Sequence, residues 1–490
     1  MIERNLLKDP FCDALDLGQA IPQSPHAVSV ALPRWEDVLA YEEKDPACLN
    51  ALQSIYPRFG LNPLVKEIAE RANAINSEIR NSAWPYPNIK TAQKAQAFCQ
   101  RMQAQSYTII KEVSGLQCLI VDAQATPAAK AFWQHTGLGA SSRQAAIALN
   151  KETSPSINAG EQARKAIRSR LSKIYGCEKD LIQLHPSGMA ALTTALEALK
   201  KLKPNQSILQ LGFPYVDVLK LPQVIYEGSE LLLNPDATKL INQLNKQKPA
   251  ALIVELPSNP MLQCLDLPLI SKLAHDRGIP VIADDTIGSA INIDPLPYAD
   301  LVFTSLTKSF AGRGDILAGS LVISPTSAWR EAFKELIPRV SSADLFGADA
   351  IALQEASKDV TDRIHQLNKA CLELKLRLEN HPNVSRVLHP ELCPNFKSLM
   401  KPKSGFGCLL SFELNGGLAK TKRFYNSLKV CKGPSLGTNF TLACPYVLLA
   451  HYNELGWASR CGVPTELIRV SVGLEEPKEL WERFKKALNN

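Results

Sequence analysis

From Gln183 onward the chain alternates short apolar runs with stretches of helical period. The runs are ILQLG (208–212), ALIVEL (251–256), PVIAD (280–284), LVFTS (301–305) and AGSLVIS (318–324). Runs of five to seven residues without polar alternation are too short for helices and read as strands buried on both faces. Helical sequence between such strands predicts a mostly parallel sheet with helices packed on it, an α/β architecture. One connecting helix is marked at both ends. Asp266 can cap it, Pro268 suits its first turn, Leu269, Ile270, Leu273 and Ala274 repeat at helical spacing, and Gly278 can end it. A second runs from about Gly188 to Lys201 after the apolar LIQLH (181–185). Beyond Gln366, helical sequence leads to GFGCLLSFEL (405–414), LIRVSVGL (467–474) and a closing amphipathic helix through Trp481, Phe484 and Ala487, a pattern for a smaller α+β domain.

The first part is of different texture. Prolines at 22, 25, 33, 46, 57 and 63 separate short amphipathic pieces such as LVKEIAERANAINSEI (64–79). We expect a helical N-terminal extension and dimer-contact region over 1–155, the α/β domain over 156–365 and the C-terminal domain over 366–490. The 490 residues allow two to four domains at roughly 150 residues each. A net charge of +7 spread along the chain, with no dense basic block, argues against a nucleic-acid partner. No apolar stretch reaches the ~18 residues of a membrane span, and the mixed-charge N-terminus does not read as a signal peptide. The twelve cysteines stand singly without a C-x-x-C pair, so we expect reduced thiols, no metal site and a cytoplasmic location.

Chemistry concentrates where strands end. Lys308 closes S-L-T-K (305–308) beside the hydroxyls of Ser305 and Thr307. A lysine there is most often a surface residue, so its meaning depends on its neighbours. Asp284 ends the run VIAD, and Ser187-Gly188-Met189 opens a helix just after another strand. Such a helix start is either a simple N-cap or an anion cradle, the glycine letting a phosphate approach the free N–H groups. Asn259 ends ELPSNP (255–260), and Tyr215 ends GFPY (212–215). An amine, a carboxylate, a phosphate cradle, an amide and an aromatic ring together are what pyridoxal 5'-phosphate requires: a Schiff-base lysine, an anion at the pyridine nitrogen, a phosphate anchor, a donor to the phenolic oxygen and a stacking ring.

With SGMAA (187–191), ELPSNP (255–260), DDT (284–286), SLTK (305–308) and RVSVG (469–473) in this order, the sequence resembles the pyridoxal-phosphate enzymes of cysteine and methionine metabolism over roughly residues 140–490. PHAVSVALPRWEDVLAYEEKDP (25–46), YPRF (56–59), GFPY (212–215), KGPSLGTNFTLACPYVLLAHY (432–452) and IRVSVGLE (468–475) extend the resemblance to the fungal-type cystathionine γ-synthases, which also carry a long N-terminal extension. The resemblance implies a fold-type I architecture with a seven-stranded sheet. It implies Lys308 and Tyr215 as catalytic, and Ser187, Gly188, Met189, Tyr215, Asn259, Asp284, Thr286, Ser305, Thr307 and Lys308 around the cofactor. Arg469 and Ser435 would bind substrate, the guanidinium clamping an α-carboxylate.

The resemblance further implies γ-replacement of the ester group of an O-activated homoserine by L-cysteine. Sulfide incorporation and cystathionine cleavage are alternatives on the same scaffold, and a catalytically silent relative is a more distant one. No G-x-G-x-x-G or G-x-x-x-x-G-K-[ST] supports a nucleotide-binding reading. Three positions depart from the family pattern. Asp285 stands for the usual Asn and Ser309 for an aromatic. Ser141-Ser142-Arg143 stands for a Tyr-x-Arg that in many members reaches into the neighbouring subunit; Arg143 keeps the phosphate role and the tyrosine role falls vacant. An arginine acting across a subunit boundary implies a homodimer or homotetramer.

Overall fold

The computed structural model describes residues 4–75, 81–226 and 228–490. The centre is a seven-stranded sheet made of β4 (Ile182–His185), β5 (Ile208–Leu211), β6 (Ser229–Leu232), β7 (Ala251–Glu255), β8 (Val281–Asp284), β9 (Leu301–Ser305) and β10 (Gly319–Ile323), in the order β4-β10-β9-β8-β7-β5-β6. Only β10 runs antiparallel to its neighbours, so the sheet is mostly parallel as expected. Each apolar run named above lies in this sheet. The edge strand β6 escapes a sequence reading because it has four residues, none of them fully buried, and so no apolar run.

The two anticipated helices are present. Leu267–His275 is capped by the Asp266 side chain, which accepts from the Leu269 amide, and the chain turns at Gly278 with φ +64°. Gly188–Leu202 is capped by Ser187, whose hydroxyl accepts from the Ala190 amide. Its Ala191, Leu192, Ala195, Leu196 and Leu199 are buried against the sheet, a side-chain stripe at helical spacing that sets where the helix begins.

The expectation of a purely helical N-terminal part is corrected. Besides helices such as Pro63–Ala74 and Ile89–Met102 it holds an antiparallel sheet of β1 (Asn81–Tyr86), β2 (Thr108–Val113) and β3 (Leu116–Asp122) in the order β1-β3-β2. Pro85 hides β1 from a sequence reading, since proline marks against a strand; here β1 is an edge and needs no donor on its outer side. The end of the amphipathic piece 64–79, residues 76–79, lies outside the described residues. Trp84, Tyr86, Phe98, Phe132 and Trp133 pack into the same core as Leu192, Leu196 and Leu199, so this part shares its interior with the central sheet.

The C-terminal part is a five-stranded sheet of β11 (Val384–Leu388), β12 (Leu409–Leu414), β13 (Cys431–Lys432), β14 (Leu442–Pro445) and β15 (Ile468–Ser471), in the order β11-β12-β15-β14-β13. Helices Val360–Glu379, Gly417–Ser427 and Pro477–Leu488 cover it, with Leu374, Phe424 and Phe484 in one core with Phe412 and Val470. Among the described residues no helix is long and apolar enough to cross a membrane.

Truncating a fully buried side chain on the helix that carries the cradle should destabilise without touching chemistry. Leu196→Ala is expected to lower the unfolding free energy by about 2–5 kcal/mol. A reduced urea midpoint with an unchanged cofactor absorbance in the folded state would show it.

Candidate active site

The parallel strands deliver the chemistry to one edge. In a parallel sheet all carboxyl ends point the same way, and the loops leaving them converge. Tyr215 follows β5, Asn259 follows β7, Asp284 ends β8, and Ser305 ends β9, with Thr307 and Lys308 in the turn after it. Ser187 follows β4 and starts the helix Gly188–Leu202. Arg469 comes from β15 and Ser435 from the loop after β13. All of these, with Met189 and Thr286, line one cavity of about 1390 Å³, counting the part open to solvent.

Lys308 is buried, and its Nζ donates to Ser435 Oγ at 3.0 Å and Tyr56 Oη at 3.2 Å. Ser435 has φ +87°, a left-handed conformation that costs a non-glycine residue strain and is kept here by its contacts. Its hydroxyl meets Lys308 while its carbonyl accepts from Arg469 Nη2 at 2.7 Å. Arg469 also donates to Asn259 Oδ1 at 3.2 Å and lies 4.7 Å from the centre of the Tyr446 ring. Gly437, φ +75°, lets this loop close on the lysine: a Cβ there would sit 2.4 Å from the Ser309 amide nitrogen.

Two carboxyl groups face each other across the register of β7 and β8, where Glu255 pairs with Asp284. Burial pushes Asp284 up to about 7, against a hydrogen bond from the Thr286 amide at 2.9 Å. Burial and the neighbouring Asp284 hold Glu255 well above the usual carboxyl range, although it accepts from the amides of Tyr215 (3.1 Å) and Asn259 (3.3 Å). The departure at Asp285 is accommodated by hydroxyls: Tyr175 donates at 2.7 Å and Thr304 at 2.5 Å, and burial still raises Asp285 to about 6.

Arg143, expected to act in the neighbouring subunit's site, does not line the cavity of its own chain. Its guanidinium is buried against Asp349 (3.2 Å) and the Asp315 carbonyl (2.8 Å), because two buried carboxylates need its charge. The neighbouring Ser142 lines the cavity instead. Within the chain a tyrosine from another stretch does meet the lysine. Tyr56, from YPRF, lies on Lys308, its ring centre 5.0 Å from Nζ and its hydroxyl 3.4 Å from that of Tyr215. Arg58, two residues on, pairs with the buried Asp217 at 3.2 Å, which His135 Nδ1 also meets at 2.9 Å. Burial raises the Tyr56 phenol, but the Lys308 charge and the hydrogen bonds of Tyr215 and Lys308 outweigh it, and the net direction is downward. The signal was in view, because Tyr56-Pro57-Arg58 is itself a Tyr-x-Arg, placed earlier in the chain than the stretch matched to it.

A family model for the Cys/Met metabolism PLP-dependent enzymes matches residues 141–489, and one for the N-terminal domain of fungal trans-sulfuration enzymes matches residues 61–141. The chain belongs to this family of pyridoxal-phosphate enzymes. Among its relatives, the cystathionine gamma-synthase of Saccharomyces cerevisiae is 28% identical, the alignment covering 96% of this chain and 98% of the relative. The L-2-amino-4-chloropent-4-enoate dechlorinase/desaturase of Streptantibioticus cattleyicolor is 30% identical, covering 96% and 97%. A solved cystathionine gamma synthase from Xanthomonas oryzae pv. oryzae shares the fold with a TM-score of 0.61 at 23% identity, over 69% of this chain and 88% of that one.

The cavity fits the cofactor of this family of pyridoxal-phosphate enzymes. Asp284 is a buried carboxyl with no cation beside it, a poor arrangement by itself and a good one opposite a protonated pyridine nitrogen. The helix start is shaped as a cradle: Gly188 stands so close to β9 that a Cβ would lie 2.8 Å from Ser305 Cβ. Its free N–H groups and the Ser305 hydroxyl form a ready anion site.

The raised Asp284 gives a pH signature. From about pH 4, the ordinary range of an aspartate, to about pH 7, the folded cofactor-free chain keeps a proton that the unfolded chain has lost. The contribution of Asp284 to stability therefore falls as pH rises across this window and is level above it. Asp284→Asn removes the titration, so its cofactor-free form should match the parent near pH 4 and exceed it at pH 8, by about 4 kcal/mol at most. Urea unfolding at both pH values checks this, and the same variant should bind pyridoxal phosphate weakly.

Proposed function

We propose that the enzyme catalyses γ-replacement on an O-activated homoserine with L-cysteine as the incoming thiol, giving L-cystathionine. The observation that carries this reading is Ser435, which touches Lys308 with its hydroxyl and Arg469 with its carbonyl. An amino acid whose α-carboxylate lies on Arg469 then has its α-carbon near the Lys308 amine. Pyridoxal phosphate bound at Ser187, Gly188, Met189, Ser305 and Asp284 supplies the electron sink that makes an α-proton removable.

Each protein group then has one task. Arg469 binds and orients the carboxylate by two N–H groups in a plane. Lys308 Nζ takes the proton from the α-carbon and then one from the β-carbon, the ester group leaves from the γ-carbon with its bonding pair, the cysteine thiolate adds there, and Nζ returns a proton to each of the two carbons. Tyr56 and Ser435 hold that amine between two oxygens. Asn259 steadies Arg469. Of the other basic side chains on the cavity wall, Arg58 is paired with Asp217 and His26 lies 2.6 Å from Glu152. Val28, Leu61, Val65 and Leu317 are among their neighbours on that wall. That wall favours an uncharged ester over a succinyl or phosphoryl one. The free state of all twelve cysteines supports a reducing compartment, and we place the enzyme in the cytoplasm.

A second reading is elimination of the γ-substituent with no thiol. It draws on the relative named for dechlorination and desaturation of a 4-chloro amino acid. Product analysis by mass spectrometry separates the two. Cofactor-loaded protein given cysteine and, in turn, acetyl-, succinyl- and phosphohomoserine is expected to form cystathionine, fastest from the acetyl ester. Formation of only 2-oxobutyrate and ammonia would overturn γ-replacement.

Lys308→Ala should leave less than about one part in 10³ of the turnover, within the range lost with an acid–base group. Rapid multiple turnover by that variant would sink the assignment. Arg469→Lys loses the bidentate clamp and should raise KM for the homoserine ester about 10–100-fold, the equivalent of a charge-assisted hydrogen bond of about 1.5–3 kcal/mol.

A further inference from the structure

We propose that residues 18–62 form a strap that completes the active site of their own chain, placing Tyr56 on Lys308 in cis as a positioning residue for its amine. The inference deepens the reading above and rests on Lys308 being the base. It departs from the cross-subunit supply that the family resemblance implies.

The strap is anchored at its start. Val28 donates its amide to the Gly314 carbonyl at 2.9 Å, and Leu32 donates to the Lys432 carbonyl at 2.9 Å. Ser29 Oγ donates to the Pro434 carbonyl at 2.6 Å, one residue from Ser435. Lys432, fully buried, donates its Nζ to the Pro33 carbonyl at 2.8 Å, and Tyr425 donates to the Leu32 carbonyl at 2.9 Å. Val30, Leu32, Trp35 and Val38 join the core of the C-terminal sheet with Tyr425 and Leu449. Moving the segment away would bare these side chains together with the partners they cover.

The loop that holds Tyr56 is tied back to that anchored start on both sides. Ser54 Oγ donates to the Ala27 carbonyl at 2.8 Å, and Asn62 Nδ2 donates to the Pro25 carbonyl at 2.9 Å. Between these ties Arg58 pairs with Asp217 and donates to the carbonyls of Leu449 and Ala450, at 3.4 and 3.3 Å. Tyr56 faces the cavity between these ties, its hydroxyl meeting Lys308 and Tyr215. A phenol held 3.2 Å from the amine accepts its hydrogen bond and favours one orientation of a long, flexible side chain.

Two experiments test this, one blind to activity. Asp13 and Lys429 form an exposed ion pair between the N-terminal segment and the C-terminal part. Carbodiimide treatment of the holoenzyme joins such a pair as an amide with loss of water. The coupled peptide is expected in material of single-chain mass on a denaturing gel, and absent from Lys429→Ala. Its recovery only from double-mass material would overturn the strap in cis, whatever the reaction proves to be.

The second experiment uses hybrids of a Lys308→Ala chain and a Tyr56→Phe chain, purified through two different tags. Tyr56→Phe alone should lose about 10–100-fold in kcat with an unchanged melting temperature. KM for the homoserine ester should stay within about twofold of the parent, because Arg469 and not Tyr56 is set to bind the carboxylate. Hybrids are expected midway between their inactive and impaired parents. An active monomer from which no hybrid can be isolated would support the proposal equally. Recovery of about half the parent activity would mean that Tyr56 serves the neighbouring chain, and full activity of Tyr56→Phe would remove its role.

Discussion

Four carboxyl groups, Asp217, Glu255, Asp284 and Asp285, are buried on the central sheet near or at its carboxyl edge, and an unpaired buried carboxylate costs several kcal/mol. The protein meets each in a different way. Asp217 receives Arg58 and His135, and its carboxyl is held below the usual range once burial has been overcome. Asp285 receives two hydroxyls. Glu255 receives two amides and is held well above the usual range beside Asp284. Asp284 alone has only the amide and hydroxyl of Thr286 and, among the described residues, no cation, an unmet demand that fits a protonated pyridine nitrogen.

The N-terminal segment belongs to the same electrostatic scheme. Arg58 answers the charge of Asp217, and in doing so it holds the loop that sets Tyr56 against Lys308. Arg143 answers Asp315 and Asp349 and does not line the cavity of its own chain. Two arginines close to active-site sequence thus have opposite placements, decided by which buried carboxylate each one neutralises. The cavity wall also holds the Arg469 guanidinium, while the charge of Arg58 on it is met by Asp217.

Much of the central architecture was legible because buried strands and capped helices announce themselves locally. ALIV and LVF are apolar throughout because both faces of β7 and β9 are covered, and Asp266 and Ser187 sit where a cap must be. Lys308, Asp284, Asn259, Tyr215 and Ser187 could be grouped because each stands just after or at the end of a strand, and parallel strands end together. Strands β1, β2 and β3 were not legible. β1 contains Pro85, and β2 is mostly half-buried, so neither shows the continuous apolar run of an interior strand.

Tyr56 shows the same boundary from the other side. Its motif was visible, but nothing local in Tyr56-Pro57-Arg58 says that it lies against a lysine 252 residues later. The residue types, their order and the strand ends that carry them are properties of the chain, set by local periodicity and by the small set of groups able to bind this cofactor. Which arginine reaches the cavity, which tyrosine meets the lysine and how far Asp284 is pushed from its ordinary range depend on burial and on partners distant in sequence. Those are decided by packing, because the cost of a buried charge is known only once its surroundings are in place.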